Sequence, residues 1–183
     1  EVSPCRRGNV LQLLGQKLVE QSKGGCKLEV ASKGDGWDCI IDKRKAEFKS
    51  SQLTFAPSCY TWEVTFRGVK FAYAGFREAA LFDDLYLLIY SPAGIHLLQH
   101  DFQTGKASDG LRTGALGHVI KLAGKRYQGW SKALRRILDK LTIEGSCRLL
   151  AHLEPWHPLV QDLVNSLQQK SPNHAGAYNG VPL

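Results

Sequence analysis

Two carboxylates and one ammonium group lie close together in one short stretch of the sequence. Asp38 is followed by an apolar run, and Glu47 and Lys49 come shortly after a basic tripeptide. Side chains two positions apart on a β-strand point to the same face, so Glu47 and Lys49 should share a face. If the strands around Asp38 and Glu47 pair antiparallel through a tight turn, all three side chains converge at the edge of a sheet.

This set of charges is suited to phosphodiester hydrolysis. Two neighbouring carboxylates repel each other, and a proton or a cation between them relieves the repulsion. Mg²⁺ takes oxygen ligands, and it can polarise a phosphoryl oxygen and lower the pKa of a water. A lysine beside it can orient that water or stabilise developing negative charge. An isolated Glu-x-Lys is more often the solvated face of a surface hairpin, so the interpretation needs support from the preceding segments.

The order of elements around these residues resembles the PD-(D/E)XK nuclease superfamily, which includes type II restriction endonucleases and archaeal Holliday junction resolvases. A helix carries Glu20, a strand carries Asp38, and the next strand carries Glu47 and Lys49. The resemblance, over the first third of the chain, implies that Asp38 and Glu47 bind metal, that Lys49 is the catalytic lysine and that Glu20 is an additional acid. Trp37 replaces the proline of many members, and the short interval between the acids is closer to the resolvase-like branch.

Composition favours one basic globular domain. The chain has 183 residues, of which 43% are hydrophobic and 22% charged, and this length can bury a substantial core. Lysine and arginine number 24 against 17 acidic residues, a formal net charge of +7. This surplus favours a polyanionic partner, with nucleic acid ahead of an anionic membrane. No apolar run is long enough to span a membrane, so we expect DNA and no membrane partner.

Two basic segments are candidates for contact with the DNA backbone. The hairpin tip carries Lys43, Arg44 and Lys45. Residues 101–117 are polar and glycine-rich, which predicts a long loop that presents Lys106 and Arg112. Contacts of this kind would position a duplex without reading its sequence. The alternative for each segment is an ordinary solvated surface.

Cysteine usage indicates a reducing, intracellular compartment, either the cytoplasm or the nucleoid or nucleus. The five cysteines are scattered and form no Cys-x-x-Cys pair, which is unlike a disulfide scaffold or a zinc site. The chain begins at Glu1 and contains no methionine. We therefore expect an excised domain or a processed product, with any targeting segment out of view.

Hydrophobic periodicity predicts a mixed α/β fold. The predicted helices are 6–21, 131–141 and 158–169, and the predicted strands beside the Asp38 hairpin are 26–31, 60–67, 85–90, 95–98, 118–122 and 147–152. Together with the resemblance, this pattern implies a restriction-endonuclease-like central mixed β-sheet flanked by α-helices. Residues 1–170 would form a single nuclease-like domain, and residues 171–183 a flexible tail.

The sequence therefore predicts a Mg²⁺-dependent deoxyribonuclease, in which Mn²⁺ can substitute, acting on duplex DNA. Cleavage of both strands at a symmetric site predicts a homodimer. Two alternatives within the family are a Holliday junction resolvase-like enzyme and a catalytically inactive DNA-binding member. A structural or protein-interaction domain with a basic surface is a further alternative.

Overall fold

The strand that carries Glu47 and Lys49 lies inside a six-stranded mixed sheet. The computed structural model describes residues 4–23, 28–30, 37–69, 82–114 and 117–168. The main sheet contains β1 (Leu28–Val30), β2 (Cys39–Ile41), β3 (Arg44–Gln52), β6 (Asp84–Ser91), β7 (Gly94–His100) and β10 (Cys147–Leu153), adjacent in that order. The β3–β6 pair is parallel and the other neighbours are antiparallel.

A second sheet is built from two separate parts of the chain. It consists of β4 (Thr54–Ala56), β5 (Thr61–Val69), β9 (Gly117–Ala123) and β8 (Leu111–Gly114), in that spatial order. All of its pairs are antiparallel. The segment between β3 and β6 supplies one half, and the segment between β7 and β10 supplies the other. This second sheet was not predicted, because strand pairing between distant segments leaves no local pattern in the sequence.

Helices and the second sheet cover opposite faces of the main sheet. On one face, α1 (Pro4–Ser22) and α3 (Pro158–Gln168) pack on Phe48 and its neighbours. The Phe48 ring stacks on Tyr86, with ring centroids 4.8 Å apart. On the other face, α2 (Trp130–Thr142) and the second sheet close a separate core around Leu85 and Leu87. Because Phe48 faces the helices, Glu47 and Lys49 face the opposite way, as predicted.

A two-residue turn fixes the hairpin that contains the candidate site. Ile41 pairs with Arg44 across the turn, and the intervening Asp42 and Lys43 have positive φ angles of 52° and 65°. Such left-handed turns match the twist of antiparallel strands. The predicted tight turn is therefore confirmed, and it sets the register that brings Asp38 toward Glu47.

The predicted mixed α/β class is confirmed, as are the helices and strands within the described ranges. The long loop predicted at 101–117 is different: it contains a 3₁₀ turn, Ala107–Asp109, and β8. Asp109 is fully buried there, because its carboxylate accepts hydrogen bonds from the backbone N–H groups of Lys106 and Ser146. The predicted tail at 171–183 lies outside the described residues. Among the described helices, none has the length and apolar character needed to cross a membrane.

Candidate active site

The register of the β2–β3 hairpin places Asp38 opposite Glu47. Cys39 pairs with Ala46, so the next position on each side is Asp38 and Glu47. The backbone N–H of Asp38 donates to the carbonyl of Ala46 at 2.9 Å, which continues the ladder. The Oδ2 of Asp38 accepts a hydrogen bond from the N–H of Phe48 at 2.7 Å. The carboxylate of Asp38 is therefore held against the strand that carries Glu47.

Glu47 and Lys49 point to the same side of β3 and form an ion pair. The Glu47 side chain is 10% exposed and the Lys49 side chain 25% exposed. Asp38 is also partly exposed. The three predicted catalytic groups are thus brought together at a position that solvent reaches from the Asp38 and Lys49 sides.

Burial controls the protonation of the two acids. Burial, with a smaller contribution from the nearby Asp38 carboxylate, raises the pKa of Glu47 to about 7 against the opposing effect of the Lys49 ammonium. Burial also raises the pKa of Asp38, against the lowering effects of the Phe48 N–H and Lys49. The two carboxyl groups hydrogen-bond to each other, with Glu47 as the group that keeps the proton. When both carboxyl groups are ionised, Lys49 balances only one of the two negative charges. The site therefore favours the binding of a proton or a cation.

Gln12 is the residue of α1 that reaches this cluster, and the sequence reasoning missed it. Its side-chain amide hydrogen-bonds to the carboxylate of Asp38. Gln12 lies next to Leu11 in the buried stripe of the helix, and Gln16, one turn further on, is buried. Two glutamines one turn apart beside an apolar stripe are the signal that could have identified this contact.

The expected additional acid, Glu20, does not join the cluster. Glu20 follows Gln12 by eight helical residues, or about 12 Å along the helix axis. Among the described residues, no three histidine, cysteine or acidic side chains converge closely enough to hold one metal ion. Of the three acids predicted to bind metal, Glu20, Asp38 and Glu47, only Asp38 and Glu47 lie together.

Two carboxylates still fit a hard divalent cation. Mg²⁺ is commonly held through one or two carboxylates and completes its coordination with water. Asp38 and Glu47 supply two such groups in contact, and the raised pKa of Glu47 marks the charge that a cation would neutralise. Gln12 lies beside Asp38 as a neutral oxygen donor. The residues present are thus compatible with the implied metal.

The three basic residues at the hairpin differ in whether their charged groups are free to contact a ligand. Lys43 is exposed at the turn. The guanidinium of Arg44 donates to both carboxylate oxygens of Asp84, at 2.8 and 3.1 Å, and is thereby committed within the protein. The ammonium of Lys45 lies 4.0 Å from the centroid of the Trp37 ring. Only Lys43 extends from this hairpin without a described partner.

A polar cleft of about 530 Å³ opens at the end of the main sheet where β3 begins. Arg44, Lys106 and Arg148 line it together with acidic and amide side chains. Arg112 does not line this cleft; it is exposed on β8 of the second sheet. The five predicted DNA-contact residues are thus divided among the hairpin, the cleft and the second sheet, and Arg148 is a basic lining residue that was not predicted.

Comparisons of the chain with protein-family models, with curated proteins and with solved structures found no match. The functional assignment therefore rests on the geometry of Asp38, Glu47 and Lys49.

Proposed function

We propose that this protein is a metal-dependent nuclease of the PD-(D/E)XK type that hydrolyses phosphodiester bonds in DNA. The observation that carries the proposal is the convergence of Asp38, Glu47 and Lys49 from two adjacent strands. Solvated Glu/Lys pairs on a strand surface do not bury the acid or raise its pKa to about 7. A buried acid pair with one unbalanced charge is typical of a site that performs chemistry.

The arrangement of elements supports the proposed restriction-endonuclease-like fold. The helix α1 is followed by the antiparallel strands β1, β2 and β3, and β6 then returns parallel to β3. Helices pack on both faces of this mixed sheet. The carboxylates lie at the hairpin between the second and third strands, which is where the resemblance in sequence requires them.

In the proposed mechanism each side chain has a separate task. Asp38 and Glu47 would hold Mg²⁺, which would polarise the scissile phosphate and lower the pKa of a nearby water. Phe48 N–H and the Gln12 amide fix the orientation of Asp38. Glu47 would hold such a cation as the ionised carboxylate, so its proton would pass to solvent. The Lys49 ammonium donates hydrogen bonds to the attacking water or to the phosphate oxygen that gains charge.

The partners in this proposal are DNA and a second copy of the chain. The net charge of +7 favours a phosphate backbone, whereas in the cleft Lys106 and Arg148 lie beside Asp83, Asp84 and Asp101. Lys43 extends from the hairpin that carries the acids, so it would contact the backbone closest to the site. Enzymes that cut both strands of a duplex at a symmetric site generally act as two copies related by a two-fold axis, so a homodimer is part of the proposal.

One observation favours a second candidate, a catalytically inactive DNA-binding member of the fold. The helix residue that meets Asp38 is the neutral Gln12, so the described cluster contains two acids where the family resemblance implied three. The same cleavage experiment separates the two candidates, because both predict DNA binding and only one predicts turnover.

The test is cleavage of supercoiled plasmid and of four-way junctions, each with and without Mg²⁺. We expect cleavage that requires the metal and that falls by about 100-fold or more in Glu47→Ala and Lys49→Ala. DNA binding at low salt should be retained in both variants, since backbone binding is chiefly electrostatic. Preference for plasmid or junction then distinguishes restriction-type from resolvase-like activity.

A matched Glu–Lys pair on the second sheet provides the control. Glu63 and Lys121 form an ion pair at 2.9 Å on the surface of β5 and β9. Glu63→Ala removes the same chemical group as Glu47→Ala from a different place and should leave cleavage unchanged. If Glu47→Ala and Lys49→Ala cut DNA as fast as the wild type, the site assignment is wrong. Binding without any cleavage by the wild type would favour the inactive member.

A further inference from the structure

An exposed aromatic cluster lies at one end of the second sheet, away from the acids. Tyr60 ends the turn between β4 and β5, and Tyr127 lies between β9 and α2. Their ring centroids are 5.2 Å apart, and the two residues are 48% and 72% exposed. The guanidinium carbon of Arg126 lies 5.6 Å from the Tyr60 ring and 5.1 Å from the Tyr127 ring. We call this tyrosine–arginine cluster the aromatic platform.

The backbone beneath the platform is strained. Tyr60 and Tyr127 have positive φ angles of 52° and 62°, a region that bulky side chains rarely adopt. Each such residue costs roughly 1–3 kcal/mol. The N–H of Tyr127 donates to the carbonyl of Tyr60 at 2.9 Å, which locks the two strained residues together. Both tyrosines are exposed, so burial of their rings does little to offset the conformational free energy of the positive φ angles. A function in binding explains why tyrosines are present at these positions.

The charges around the platform indicate what it binds. Lys125 and Lys132 are exposed on either side of Arg126 and Tyr127. Across residues 54–63 and 123–132 the acidic side chain is Glu63, and its carboxylate is already paired with Lys121. Flat aromatic surface surrounded by cations matches a ligand with π-faces and repeated negative charge. Unpaired nucleotides have both features, and base stacking on such rings tolerates any sequence.

The space beside Tyr127 can accept a sugar–phosphate backbone. A hollow of about 460 Å³ lies there, lined by Gln128, Gly129, Trp130 and Lys132 among others. Lys132 brings an ammonium group to its edge. A base stacked on Tyr127 would thus have next to it a recess whose lining includes the cationic Lys132 for the phosphate.

We infer that Tyr60, Tyr127 and Arg126 form a stacking site for the unpaired bases of single-stranded nucleic acid. Binding at the platform does not require the acid cluster. Its consequence for activity, a preference for substrates with a single-stranded part, rests on the proposed nuclease function. Thr65 on β5 donates its N–H to the Oγ of Ser51, two residues beyond Lys49. Tyr60 precedes Thr65 by five residues, which is at most roughly 17 Å of extended chain, so one substrate can contact the platform and the part of β3 beside Thr65.

The test measures binding without cleavage. Fluorescence anisotropy of a labelled twelve-nucleotide oligo(dT) is recorded without divalent metal, beside an abasic oligomer with the same number of phosphates. We expect the wild type to bind oligo(dT) more tightly than the abasic oligomer. Tyr127→Asn, which removes the ring but tolerates a left-handed backbone, should weaken oligo(dT) binding by about 5- to 100-fold and leave abasic binding unchanged. Tyr127→Phe keeps the ring and should bind as the wild type does.

Two controls keep this result specific. Trp156 is 74% exposed on a different part of the surface, so Trp156→Ala should not change oligo(dT) affinity. Lys125→Ala should weaken binding of oligo(dT) and of the abasic oligomer equally, because it removes charge alone. A circular dichroism melt of each variant verifies folding.

Equal affinity for oligo(dT) and the abasic oligomer would overturn the inference, as would unchanged oligo(dT) binding in Tyr127→Asn. Loss of self-association in that variant with no change in oligo(dT) affinity would also overturn it, and would identify a protein interface instead. These outcomes are independent of the nuclease test. Loss of cleavage in Glu47→Ala with normal stacking supports both proposals, whereas stacking without any cleavage by the wild type leaves this inference standing alone.

Discussion

Replacing Glu47 by glutamine tests the electrostatics of the proposed site without any substrate. Glutamine has nearly the shape of a protonated glutamic acid and cannot ionise. The pKa of Glu47 is raised from 4.5 to about 7 by burial and by Asp38. A raised folded-state pKa means that the folded protein binds the proton more tightly than the unfolded chain does. The free energy of unfolding should therefore fall as the pH rises through the window from 4.5 to 7.

The size of the effect follows from the shift. One pKa unit corresponds to 1.36 kcal/mol, so ionisation of Glu47 in the folded protein lowers the free energy of unfolding by about 3 kcal/mol. Because the side chain is 10% exposed, solvent screening removes little of this. Glu47→Gln should then be more stable than the wild type at pH 8 by up to about 3 kcal/mol, because the pKa of about 7 already includes the opposing effect of Lys49. At pH 4.5 Glu47 is protonated in the folded wild type, so the two proteins should have nearly the same stability.

The assay is urea denaturation followed by circular dichroism at pH 4.5, 6, 7 and 8, without divalent metal. The quantity of interest is the difference in free energy of unfolding between variant and wild type at each pH. A second series with Mg²⁺ at pH 8 should stabilise the wild type and not the variant, since the cation replaces the proton between Asp38 and Glu47. Glu63→Gln provides the same substitution at a pair on the second sheet.

A difference between Glu47→Gln and the wild type that stays constant from pH 4.5 to pH 8 would refute the reasoning. It would show that Glu47 titrates alike in the folded and unfolded chains. Equal stabilisation of both proteins by Mg²⁺ would refute the assignment of Glu47 as a metal ligand, while leaving the pH argument intact.

Two further predictions concern stability elsewhere in the main sheet. Burial, with a smaller contribution from His152, lowers the pKa of His96 to about 4, so the free energy of unfolding should fall as the pH drops from 6.5 to 4. In urea titrations, His96→Phe should remove up to about 3 kcal/mol of this pH dependence, and His152→Ala only a small part of it. Gly94 has φ +97° and a Cβ there would overlap a carbonyl oxygen of β10, so Gly94→Ala should cost about 3 kcal/mol or more in the same titration; an unchanged midpoint would contradict this.

The hairpin could be predicted because its determinants are local. Alternation at two-residue intervals decides that Glu47 and Lys49 share a face, and a two-residue turn decides which residue is opposite Glu47. Both depend on residues within fifteen positions of one another. The candidate catalytic trio could therefore be predicted from the sequence. The contact of Gln12 with Asp38 could not, because Gln12 lies on α1, 26 residues before Asp38 in the chain.

The segment from 101 to 117 illustrates the opposite case. Its polar, glycine-rich composition is typical of a loop, yet Asp109 is fully buried. The burial is possible because partners come from distant positions: Ser146 donates its N–H to Asp109 Oδ1 across 37 residues, and His100 lies 3.3 Å from Oδ2. Nothing in the local sequence reveals these partners, so composition alone assigned the segment to solvent.

The route of the chain through the second sheet has a consequence for biosynthesis. After β3 the polypeptide leaves for β4 and β5, and β5 gains its other neighbour only when β9 has been made. On the ribosome, Val64 and Phe66 of β5, both fully covered in the finished molecule, must wait for residues 117–123 to emerge. A nascent chain that ends at β7 would thus contain Asp38, Glu47 and Lys49 and still expose apolar surface of β5 that promotes aggregation or chaperone binding. The strands that shield the sheet of the trio are therefore completed only after the trio itself has been synthesised.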